Sequence, residues 1–149
     1  MAVITQKTIM KYKQLNIDWN AEPNAPEIKM TVEHTTVTLE FFLNYFVYDS
    51  FQEDEKGILT FNRVHKFSLN GMNEEGYFRE QYRYKESDLP WGEFYELESD
   101  WQNDFPKNNL ILLPNRDNKP LKHFIFFFKD NTFECVAESY EFKSGYFAK

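Results

Sequence analysis

Along residues 35–48, apolar and polar positions alternate with a period of two. Val37, Leu39, Phe41, Leu43, Tyr45 and Val47 hold one row; Thr38, Glu40, Phe42, Asn44, Phe46 and Tyr48 hold the other. β-Branched and aromatic residues on that spacing predict a long strand. After the acidic stretch 49–56 and Gly57, residues 58–69 predict its antiparallel return, and Asn70-Gly71-Met72-Asn73 turns into a further strand over 77–84. Residues 18–34, with two prolines and few periodic apolar positions, predict a loop that ends in a short strand.

The clearest pattern lies near the C-terminus. Residues 122–128 and 132–142 flank Lys129-Asp130-Asn131. A two-residue turn at Asp130-Asn131 sets Phe128 opposite Phe133, Phe126 opposite Cys135 and Phe124 opposite Ala137, all on one face. His123, Ile125, Phe127, Glu134, Val136 and Glu138 share the other face. Upstream, residues 109–113 and the proline-bracketed connection 114–120 extend the hairpin into a β-meander. In residues 86–105, Phe94, Leu97, Trp101 and Phe105 step by three, four and four, which predicts a short helix capped by Asp88 with Pro90 in its first turn. Gly92 opposes the helix, and a strand over 92–97 is the alternative.

The predicted class is mainly β, with α+β as its neighbour: an antiparallel meander sheet, bent or partly closed into a barrel or sandwich, with one or two short helices. One globular domain spans 1–149, a length suited to a single core. The 28 aromatics (16 Phe, 9 Tyr, 3 Trp) occupy both faces of several strands. A one-sided open sheet cannot bury them, so closure, a second layer or a partner must.

Composition narrows the function classes. The single cysteine, Cys135, rules out an internal disulfide and any CxxC site, and its apolar neighbours predict a core thiol. The first residues lack the apolar stretch of a secretory leader, and the longest pure apolar run is far below the about 20 residues of a membrane helix. A cytoplasmic protein without membrane association is expected. Net charge is −7, unfavourable for a phosphate backbone, so no nucleic-acid partner is expected. Glu86, Asp88, Glu93, Glu96, Glu98, Asp100 and Asp104 fall in a 19-residue window without Lys or Arg, and the other 130 residues balance at 17 acids and 17 bases. Such a local field favours a cationic partner.

Two candidate sites follow. The odd row of 58–69 reads Leu59, Phe61, Arg63, His65, Phe67, Leu69. Strict alternation sends Arg63 and His65 inward, into an aromatic-lined cavity able to take a small anionic or aromatic ligand. A β-bulge that twists Arg63 into solvent is the competing reading. The second candidate is the acidic–aromatic surface of 86–104, where Trp91, Glu93, Tyr95, Glu96 and Trp101 would dock a basic protein.

Chemistry is sparser. His123 faces Glu138 in the hairpin register above, and a carboxylate beside a histidine suits general acid–base work, though an exposed ion pair is the plainer outcome. His34 has no evident partner, and the three histidines lack metal-ligand spacing. Asp49–Asp54 fails the calcium-loop pattern, and no phosphate-cradling glycine motif occurs. The expectation is a non-enzymatic binding protein without metal or cofactor, with a small-substrate enzyme using His and a carboxylate as the alternative. A homo-oligomer whose interface seals the surplus aromatics is a third.

Overall fold

The computed structural model describes residues 11–71, 89–114 and 120–146. Its strands are β1 (Lys11–Gln14), β2 (Lys29–Glu33), β3 (Thr36–Phe42), β4 (Lys56–Asn70), β5 (Phe94–Glu98), β6 (Leu110–Ile111), β7 (Lys122–Phe127) and β8 (Thr132–Gly145), with one helical turn, α1 (Trp101–Asp104). All pair antiparallel in a single sheet ordered β1-β5-β7-β8-β4-β3-β2, with β6 paired to β4.

The two ends of that order, β1 and β2, do not pair, so the sheet does not close into a barrel. It is nevertheless strongly curled. Phe41 on β3 and Phe126 on β7 lie three strands apart, about 14 Å in a flat sheet. Their ring centroids are 5.4 Å apart. The curl wraps a core of Trp19, Phe41, Phe61, Phe94, Phe126 and Phe133 with their aliphatic neighbours. Trp19 stacks on Phe142 at 3.9 Å and closes one end of it. Gly57 permits the tightest approach: a Cβ there would sit 2.9 Å from the Phe142 ring and 3.0 Å from Leu43 and Phe41. A second, smaller cluster on the other face joins Tyr95, Leu97, Ile125 and Phe127 to Leu89, with Trp91 packed against it. That layer answers the two-faced aromatic pattern without barrel closure.

The parity of the β7–β8 hairpin is as expected. Phe124, Phe126, Phe128, Phe133, Cys135 and Ala137 all enter the main core, and Cys135 is a buried thiol whose pKa burial, aided by Glu134, holds well above its usual value. The register differs by two residues. Phe126 pairs with Phe133 and Phe124 with Cys135, because the turn tips at Lys129-Asp130, closed by the Phe128 amide donating to the Asn131 carbonyl at 2.8 Å. A shift of two preserves which face each side chain takes.

Other boundaries move. The strand expected over 35–48 ends at Phe42. Leu43 makes an isolated bridge to Ala21 and donates its amide to the Glu55 carbonyl, and the chain turns with the Tyr48 amide on the Asn44 carbonyl. The helix expected across 88–105 splits: 94–98 is strand, paired with β7, and only Trp101–Asp104 is helical. Phe94 joins the main core while Leu97 joins the opposite cluster, so their spacing was never one helical stripe. The strand expected over 77–84 lies outside the described residues.

Candidate functional site

Arg63 does not enter the core. Its backbone is left-handed, with φ of 51°, and the pairing of β4 with β8 slips between Val64 and Lys66. The core row on β4 therefore runs Leu59, Phe61, Val64, Phe67, and the local bulge rotates Arg63 into solvent. There its Nε donates to Glu138 at 3.0 Å, an exposed pair worth about 0–1 kcal/mol. Glu138 is thus the partner of Arg63, not of His123. His65 is half-buried; its Nδ1 donates to the Leu113 carbonyl at 2.6 Å, while its own carbonyl accepts from the Leu112 amide at 2.9 Å. These bonds pin the segment around β6 to β4. The extra residue of the bulge breaks the alternation that would have turned Arg63 and His65 together into one aromatic-lined space.

The residues of the acidic–aromatic segment disperse. Tyr95 is fully buried and donates its hydroxyl to the Pro90 carbonyl at 2.6 Å. Glu96 lies 3.9 Å from Lys122. Trp101 packs edge-on to His65 at 5.5 Å and is covered by Lys66, whose ammonium is 5.4 Å from the ring and whose pKa desolvation lowers. Alternation along β5 turns Tyr95 and Glu96 to opposite faces, and Trp101 lies beyond that strand in α1.

Trp91 and Glu93 do come together. They line a pocket of about 230 Å³ with Asn20, Glu22, Phe127 and Lys129. Trp91 lies 4.7 Å from Phe127, giving the pocket an aromatic wall, and Gly92 between Trp91 and Glu93 takes φ of 92°, a conformation glycine adopts without a Cβ clash. Glu93 is half-buried and ringed by amides. Its Oε1 accepts from Asn20 Nδ2 at 3.0 Å; its Oε2 accepts from Gln14 Nε2 at 3.2 Å and from Asn16 Nδ2. Asn16, itself buried, also donates to the Trp19 carbonyl at 2.7 Å and accepts the Phe94 amide at 3.0 Å. This network fixes the loop after β1 on the start of β5.

Two features of the pocket are chemically unspent. Glu93 has three neutral donors and forms no ion pair with a Lys or Arg among the described residues. Asn20, having given its NH₂ to Glu93, keeps its Oδ1 buried without a donor. Lys129 lines the pocket as an exposed residue, against the two carboxylates Glu22 and Glu93.

A second pocket, about 350 Å³, is lined by Glu22, Glu27, Glu53, Asp54, Tyr45 and Phe46 among others, with no Lys or Arg. Tyr45 stacks on Phe46 at 4.2 Å, and its hydroxyl pKa is raised by desolvation and then by Glu53, Glu22 and Asp54. Among the described residues, no three His, Cys, Asp or Glu side chains are grouped as a metal ion requires. No helix there is long and apolar enough to cross a membrane.

Away from both pockets, His123 is bracketed by two partners. Ser99 Oγ lies 2.5 Å from its Nδ1 and Glu134 Oε2 lies 2.8 Å from its Nε2, with both the His123 and Glu134 side chains fully buried. The shared face of His123 and Glu134 was legible in the hairpin pattern. Ser99, 24 positions away, carried no sequence signal, nor did Asn16 and Asn20, which sit in the aperiodic N-terminal loop.

A scan against protein-family models matched none, and searches of curated proteins and of solved structures returned no match.

Proposed function

We propose that the chain is a binding protein that captures a cationic group, an ammonium or guanidinium, in the pocket walled by Trp91 and Phe127. The observation that carries this reading is Glu93: a half-buried carboxylate held by three amides and, among the described residues, without an ion pair to Lys or Arg. A carboxylate accepts hydrogen bonds, so the fitting ligand donates them, and a positive ligand also gains from its field. An aromatic wall adds attraction for a cation. The volume, below the about 300–1,000 Å³ of drug-sized sites, suits a side-chain-sized group.

Calorimetric titration with n-butylammonium is the test. A Kd on the order of 1 mM is expected from the few atoms engaged, together with loss of affinity as salt is raised. Absence of saturable binding would refute the reading.

A second reading rests on Ser99, His123 and Glu134. Ser99 donating to Nδ1 and Nε2–H donating to Glu134 is the arrangement by which a general base activates a serine nucleophile. In that case a fluorophosphonate would label the wild type at Ser99 and leave Ser99→Ala unlabelled. An unlabelled wild type would make the three residues a buried polar network only.

A further inference from the structure

The two acidic pockets share a residue. Glu22 lines both, next to the bridge between Ala21 and Leu43. Its carboxylate already accepts the Asn24 amide at 3.0 Å and the Ala25 amide at 2.5 Å, so it is held in place between them. The second pocket adds Glu27, Glu53 and Asp54 with no basic side chain. It also carries an apolar rim: Phe46 is 63% exposed and Val47, beside it in the chain, 66%. Acids alone would be a solvated surface. Two further features mark this one as a docking face: a pocket on either side of Glu22 and exposed aromatic surface at Phe46.

Resting on the cation-binding reading above, we infer that the ligand is a basic segment of a partner protein that places one cationic side chain beside Glu93 and a second beside Glu53 and Asp54. Charge complementarity sets the sign of both side chains, and the volume of the pocket at Glu93 suits a single side chain. The exposed Phe46 favours a polypeptide over a free polyamine, because a partner's backbone and neighbouring side chains would cover it where a thin polyamine chain would not. Joining two weak sites through one ligand raises affinity without any new contact.

The experiment compares N-acetyl-lysine amide with acetylated, amidated Lys-Lys, Lys-Ala-Lys and Lys-Ala-Ala-Lys, each titrated into the full chain by calorimetry. One spacing is expected to bind about tenfold or more tighter than the single lysine. The Glu53→Gln/Asp54→Asn double variant should erase that gain and leave single-lysine binding intact. Both positions are exposed, and asparagine tolerates the φ of 67° at residue 54, so folding is preserved. If the single lysine binds but no spacing improves on it, or if the gain survives the double variant, the two-pocket inference is overturned and the Glu93 reading stands. Spermidine binding as tightly as the best peptide would likewise overturn it in favour of a small polyamine. If the single lysine fails to bind, the Glu93 reading fails and the inference falls with it.

Discussion

Truncating Phe126 to alanine is expected to cost about 3–5 kcal/mol of folding stability, the range for removing a fully buried aromatic. Phe126 is inaccessible to solvent and stands where the curled sheet meets itself. It stacks on Phe128 at 4.2 Å and on Phe94 at 5.5 Å, and meets Phe41 at 5.4 Å and Trp19 at 5.8 Å. Those rings come from β7 and the turn after it, β5, β3 and the N-terminal loop, so the cavity would open between elements far apart in the chain and could not collapse locally. Urea denaturation checks it, with the exposed Phe46→Ala as control, expected within about 0.5 kcal/mol. A loss under 1 kcal/mol at Phe126 would mean that the sheet does not curl around this ring.

Replacing Glu93 with glutamine is expected to weaken n-butylammonium binding about ten- to hundredfold. A hydrogen bond to a charged acceptor is worth about 1.5–3 kcal/mol, and each 1.4 kcal/mol is a factor of ten. The change keeps the side chain's shape and one acceptor oxygen, but turns the other oxygen into a donor facing amide NH₂ groups. Stability should therefore fall too, by about 1–3 kcal/mol for a buried donor left without its acceptor, and Asn16 is the buried one. The two effects separate by measuring affinity at a temperature where the variant is fully folded. Affinity equal to wild type under those conditions would remove Glu93 from the binding site.

Much of the fold was legible because sheet parity is a local property. The alternation of Phe124, Phe126 and Phe128 against Ile125 and Phe127 sorted these residues correctly between the two cores, and it survived a misplaced turn because a two-residue slip returns every side chain to its own face. The row through Arg63 was left open between strict alternation and a β-bulge, and the bulge is what forms. A single left-handed residue and the bulge after it reset the alternation, and neither has a signature in an Asn-Arg-Val-His run that lacks glycine. The spacing of Phe94, Leu97 and Trp101 imitated a helix because a short strand followed by one helical turn produces the same intervals.

The composition of the candidate site was legible in the sequence, and its geometry was not. Trp91 and Glu93 stood out as aromatic and acidic neighbours. What makes Glu93 distinctive is its ring of amides, from residues 73 to 79 positions away, and contacts at that separation follow from topology alone. The acids of the second pocket come from the loops 22–27 and 53–54, outside the window of densest negative charge. Charge density along the chain is greatest at 86–104, whereas the proposed pockets also draw acids from the loops 22–27 and 53–54.

The most direct measurement is an NMR titration of the folded chain with n-butylammonium, following the Trp91 indole N–H and the backbone amides of Phe127, Phe128 and Lys129. Saturable shifts confined to these signals and to the Asn20 and Glu93 amides are the expected result. Unmoved signals at saturating amine, or shifts centred on another part of the sheet, would contradict a cation site at Glu93.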